Sequence, residues 1–136
     1  MFSIKKIIFV FCLGFVFVSC GVKGDLLGNI EQKPLKLSLI KIKHQGSDYL
    51  ANDGAYIELG KDDVIGSSGC NRFFGKASYD NDSVVFGSLG VTKMYCYGYG
   101  FEDKFFQSLT KLKIIQKSKS IVLYNDEFEI TAKLIK

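Results

Sequence analysis

Cysteine carries most of the reactive chemistry open to this sequence, in four copies at Cys12, Cys20, Cys70 and Cys96. A thiol can be acylated, oxidised to a disulfide, ionised into a nucleophile or metal ligand, or buried as a small hydrophobe, and its surroundings decide among these. No Cys-x-x-Cys spacing occurs, and no basic helix terminus is set to depress a thiol pKa, so thiol redox catalysis is not expected. His44 is the sole histidine. Neither a histidine triad nor a multi-histidine zinc site can be assembled within one chain; the polar stretch KIKHQGSD around His44 reads as a solvated loop. Asp80, Asn81 and Asp82 lack the length and the downstream glutamate of an EF-hand loop. With Asp62 and Asp63 they suit turns, where aspartate bonds nearby backbone. The expectation is a protein with no catalytic residues, no cofactor and no metal, hence not an enzyme.

Cys20 stands in a different context. Lys5 and Lys6 precede twelve apolar residues at 7–18, and small Ser19 comes before the cysteine, which is the order of an export signal. Twelve helical residues cover about 18 Å, well short of a bilayer core of about 30 Å, so a transmembrane helix is the weaker reading. The stretch FVSC at 17–20 resembles a bacterial lipobox with Phe17 in place of the usual leucine. It implies cleavage before Cys20 and acylation of that thiol, with palmitate-type chains. The alternative is an ordinary secretory signal cut near Ser19. Cys12 would be discarded with the signal. Gly21 is not an acidic retention residue, which favours a lipid-anchored protein of the outer membrane facing the periplasm.

Removing residues 1–19 leaves an acylated cysteine and a glycine-containing stretch, 20–34, that reads as a flexible tether with a span of about 20 Å. Residues 35–136 then form one domain with one core. Loss of Lys5 and Lys6 lowers the net charge from +4 to +2. The remaining lysines are interspersed with acids, so no nucleic-acid partner is expected.

Beyond residue 34 the pattern is one of short period-two segments separated by turn residues, as in antiparallel sheets. Phe128, Ile130, Ala132 and Leu134 alternate with Glu129, Thr131 and Lys133; YNDE supplies the turn before them and SIVLY the hairpin partner. Further strand candidates are LKLSLIKI, with a bulge between Leu39 and Ile40, then AYIEL, DVIGSSG, ASY and SVVFGSL, the last two linked through Asp80-Asn81-Asp82. In FEDKFFQSLTKL, Phe101, Phe105, Leu109 and Leu112 recur every three or four residues. This predicts a helix with Glu102 and Asp103 in its first turn and Lys111 and Lys113 at its end. The expected fold is mainly β within the α+β class: a curved antiparallel sheet or partly open barrel of seven or eight strands, with one helix packed on it before the final hairpin.

Two motifs carry a family resemblance. Gly69-Cys70-Asn71-Arg72-Phe73-Phe74-Gly75 and Thr92-Lys93-Met94-Tyr95-Cys96 resemble the two signatures of the META domain, the module of HslJ-like envelope proteins. The resemblance covers about 35–136 and agrees in the order of helix and final hairpin. It implies a role in envelope homeostasis or stress response. The family's usual first-strand tryptophan is missing, since the chain has none; Leu37 is the expected occupant of that place, with aromatic packing from neighbours such as Phe73 or Phe86 in compensation.

Read physically, Gly69, Asn71 and Gly75 suit a tight, irregular corner, and Phe73 and Phe74 would face opposite sides of an extended chain. A ligand-binding corner built on Arg72 is the alternative. Cys70 and Cys96, the last two thiols of an exported domain, favour a disulfide worth about 3 kcal/mol on the chain-entropy model; two buried free thiols are the other possibility. Tyr95, Tyr97 and Tyr99 alternate with Cys96, Gly98 and Gly100. They would make either a recognition strip, with Arg72 beside it, or a cover for the core next to the helix, and the cover is favoured. Two functions follow: a non-enzymatic lipoprotein that binds another envelope component, or a small-molecule or lipid binder using a concave sheet interior.

Overall fold

The structure, a computed structural model, describes residues 26–96 and 100–135. Residues 1–19, read above as an export signal, and Cys20, Tyr97 and Tyr99 lie outside the described residues. Among the described residues, nine strands and one helix follow in the order β1 (Leu35–His44), β2 (Ser47–Leu50), β3 (Tyr56–Leu59), β4 (Asp63–Ser67), β5 (Arg72–Asp80), β6 (Ser83–Val91), α1 (Gly100–Ser108), β7 (Lys111–Lys117), β8 (Ser120–Tyr124) and β9 (Phe128–Leu134). Every pairing is antiparallel. From β3 to β9 each strand neighbours the next, β3 lies on β1, and β9 returns to β1, closing an eight-stranded barrel. The extra strand, β2, folds back on the second half of β1 through a turn at Gln45 and Gly46, both with positive φ.

Alternation builds this barrel. In β9, Phe128, Ile130 and Ala132 point inward and are buried while Glu129 and Lys133 are exposed. Leu134, expected on the apolar face, is exposed, because it ends the last strand beyond the packed interior. In β1 the register shifts between Leu39 and Lys41, the bulge that the sequence pattern predicts; it lets both Leu39 and Ile42 enter the core. Leu37, Ile42, Leu59, Val84, Leu112 and Ala132 have no exposed surface. An interior of eight strands is of a width that side chains can fill.

The helix is shorter than its apolar spacing suggests. It stops at Ser108, whose Oγ donates to the Phe105 carbonyl at 2.6 Å. Leu112, expected on the helical stripe, instead lies in β7, where Leu112 and Ile114 face inward between exposed Lys111 and Lys113. Apolar residues at 109, 112 and 114 satisfy either period, and pairing with β6 and β8 decides for the strand. A strand therefore separates the helix from the final hairpin. Phe101 and Phe105 stack one helical turn apart, with centroids separated by 5.5 Å, and Phe73 meets Phe105 edge-on at 5.5 Å. That cluster seats α1 across β1 and β2.

Two other expectations change. KIKHQGSD is the β1–β2 hairpin, and His44 ends β1 with its ring stacked on Phe128 at 4.4 Å. Its Nδ1 lies 3.1 Å from the Glu127 carbonyl. The tether read at 20–34 is not free throughout: residues 26–33 form successive turns, Ile30 is only 4% exposed, and Leu26 and Leu27 pack on the core. Ile30 lies five residues before β1, so this segment adds apolar mass where the chain enters the barrel.

A polar clasp at the β4–β5 corner as candidate functional site

Between β4 and β5 the chain turns sharply at residues 68–71. Gly69 takes φ +95, and a side chain there would also collide with Asn52 and the Asp53 carbonyl; glycine meets both demands. Gly75 answers a different one, since its backbone is extended and a Cβ would come within 2.5 Å of the Ser88 carbonyl on β6. Phe73 and Phe74 divide as an extended chain requires: Phe73 is 1% exposed and Phe74 61%.

Asn71 is the centre of the corner and is 5% exposed. It is neither left-handed nor bonded to its own backbone through its side chain, the two ways in which asparagine commonly serves a turn. Its carboxamide spans the two motif segments instead. Oδ1 accepts from the Met94 amide at 2.7 Å and from the Thr92 hydroxyl at 3.0 Å. Nδ2 donates to the Met94 carbonyl at 3.1 Å and to Glu102 Oε1 at 2.8 Å. These four bonds use the whole capacity of an asparagine side chain. Thr92 Oγ1 also accepts the Arg72 amide at 3.0 Å, and the Thr92 amide returns to the Arg72 carbonyl at 3.0 Å.

Ser68, fully buried, completes the clasp. Its hydroxyl donates to Glu102 Oε1 at 2.7 Å and accepts the amides of Asn71 and Cys70 at 3.0 and 3.3 Å. Glu102 in the first turn of α1 thus ties the helix to the strand corner. The Ser68 carbonyl takes a further bond from Asn52 Nδ2 at 3.1 Å. Ser68, Asn52 and the tie made by Glu102 had no signal in the sequence beyond residue type, because the partners lie 16 to 34 positions apart.

Cys70 and Cys96 meet at the same corner. Their Cα atoms are 6.3 Å apart, inside the separation a disulfide spans. Both line a cleft of about 700 Å³ outside the barrel, with Tyr49, Asn52, Gly69 and Phe101 among its walls. Lys93 is exposed, as are the side chains of Arg72 and Met94. Tyr95 is 86% exposed, which overturns the favoured reading of it as a cover for the core.

The sequence profile of the META domain matches residues 34–133, which takes in the barrel, the helix and both halves of the clasp. The chain belongs to the META domain family. Within this META domain, Leu37 is fully buried. Among solved structures, an NMR structure of a protein from Burkholderia xenovorans is similar at 22% identity and a TM-score of 0.63, covering 79% of this chain and 84% of that one. A second NMR structure is similar at 20% identity and a TM-score of 0.56, covering 74% and 88%. Likeness at such identities speaks for the META fold alone. No curated protein matches the sequence.

Proposed function

We propose that this META-domain protein is a non-enzymatic, lipid-anchored component of the bacterial envelope that acts by binding another envelope component, in support of envelope homeostasis or stress tolerance. Cys20 carries the acyl anchor, the outer membrane holds it, and the domain faces the periplasm. In that oxidising compartment Cys70 and Cys96 are bonded and brace the clasp.

The observation behind this reading is where the apolar surface lies. The side chains that point into the barrel are buried in one apolar cluster, which favours a packed core over the alternative of a small molecule or lipid held inside a concave sheet. Apolar side chains are left outside instead. Ile65 and Phe74 are cross-strand partners on the outer wall, and Phe74 lies over Gly90 of β6. Exposed Met94 and Tyr95 sit in the segment that Asn71 holds, near the start of the same strand β5. An outward apolar row beside a rigid polar corner suits recognition of a protein surface.

Photocrosslinking in cells tests it. A photoreactive residue at position 74 or 65 should give a discrete, reproducible adduct, whereas position 129 or 133, exposed on β9 and four strands from β5 round the barrel, should give none. Equal labelling from all four positions would contradict the reading.

A further inference from the structure

We propose that Cys70, Cys96 and Glu102, when the two sulfurs are not bonded to one another, bind a zinc-class divalent cation. The two Sγ atoms and a carboxylate oxygen of Glu102 all lie within 4.8 Å of one another, and all three side chains are half-buried. A tetrahedral ion with bonds of about 2.3 Å to sulfur and 2.0–2.2 Å to oxygen holds its ligand atoms about 3.5–4 Å apart. Small side-chain movements reach that arrangement.

The surroundings suit the ion in three ways. Ser68 and Asn71 both donate to Glu102 Oε1; they fix the carboxylate as outer partners of a metal ligand do, and a carboxylate retains lone pairs after two such bonds. Both cysteines line the cleft, so an ion has an entry path and a water can take the fourth position. The donor set selects the class. Two thiolates disfavour magnesium and calcium, while the hard carboxylate disfavours copper(I), which leaves zinc-class ions.

Disulfide and metal site are thus two states of one element. Opening the bond takes two electrons and two protons from a dithiol, which leaves as a disulfide; the two thiols then release their protons as the ion binds. Oxidised protein has no thiolate to offer. Reduced protein regains through the ion the link between the 69–75 and 92–96 segments, and adds α1 to it.

Cobalt(II) titration of the full chain in detergent reads this state directly. Reduced protein should bind one cobalt ion per chain with thiolate-to-cobalt absorbance in the near ultraviolet, displaced by zinc. Oxidised protein and the Cys70→Ser/Cys96→Ser double variant, which keeps Cys12 and Cys20, should show none. Glu102→Gln should weaken binding at least about tenfold. Zinc should also raise the melting temperature of the reduced protein and leave that of the oxidised protein unchanged. No cobalt band in the reduced wild type overturns the proposal, and so does a band that survives in the double variant. The wild-type comparison stands even if Glu102→Gln loses its fold, and none of these readouts depends on a protein partner.

Discussion

Asn71 Nδ2 lies 2.8 Å from Glu102 Oε1, so a strand corner and the first turn of the only described helix share one hydrogen bond across 31 residues of sequence. The same carboxamide fixes Met94 and Thr92. Three segments far apart in sequence therefore depend on one buried side chain, and buried polar groups cost most when a partner is taken away.

Asn71→Ala should destabilise the domain by about 3 kcal/mol, because it strands the Met94 amide and carbonyl and the Thr92 hydroxyl together. Asn71→Asp should also destabilise at neutral pH, by placing a second carboxylate against Glu102. The new carboxyl is ionised less readily in the folded state than in the unfolded chain. Its deficit relative to wild type should consequently shrink as the pH falls and the carboxyl regains its proton. Urea unfolding of both variants at pH 7 and pH 4 checks this; an Asp variant as stable as wild type at pH 7 would remove the clasp from the account.

How much of this was legible in the sequence follows from range. The β9 alternation, the bulge in β1 and the turn at Asn81, whose φ is 54, are local, and local patterns show them. Leu112 was misplaced because its spacing from Leu109 fits a helix while its spacing from Ile114 fits a strand, and only strand pairing settles the period. Strand β2 was missed because polar Ser47 and Asp48 hide a hairpin that β1 templates. Family motifs flagged Asn71, Thr92 and Met94, yet Ser68 and Glu102 join them only in three dimensions.

Leu109 tests the packing of the helix end. It is buried although it lies just past α1, and Leu109→Ala should cost about 2–5 kcal/mol, a large share of the roughly 5–15 kcal/mol that holds a domain together. Lys111 pairs with Asp80 at 3.4 Å with both side chains mostly exposed. Its replacement by alanine should change stability by less than about 0.5 kcal/mol. Denaturant midpoints of the two variants provide the comparison, and a tolerant Leu109 would mean that this end of the helix is not packed as described.

Tyr79 gives the fold an alkaline limit. Burial first, and then the charges of Asp63 and Asp62, push its phenol from 10.0 up to about 12, and its hydroxyl donates to the Gly60 carbonyl at 2.6 Å. Because the folded pKa is raised, the contribution is complete below about pH 10 and is lost as the pH climbs from about 10 through 12. Tyr79→Phe should flatten the fall in stability over that window relative to wild type and leave the slope below pH 9 unchanged. Parallel slopes for the two proteins between pH 10 and 12 would contradict the assignment.

In the proposed function, lipid anchoring at Cys20 sets the compartment, the redox state of Cys70 and Cys96 and the surface on which a partner is met, so the mass of the native protein is the most direct test. Intact mass spectrometry of protein purified from bacterial membranes should show a chain that begins at Cys20 and carries acyl chains on it, and Cys20→Ala should remain an uncleaved precursor or appear in the soluble fraction. A mature chain that begins elsewhere, or an unmodified Cys20 in a soluble domain, would contradict the account.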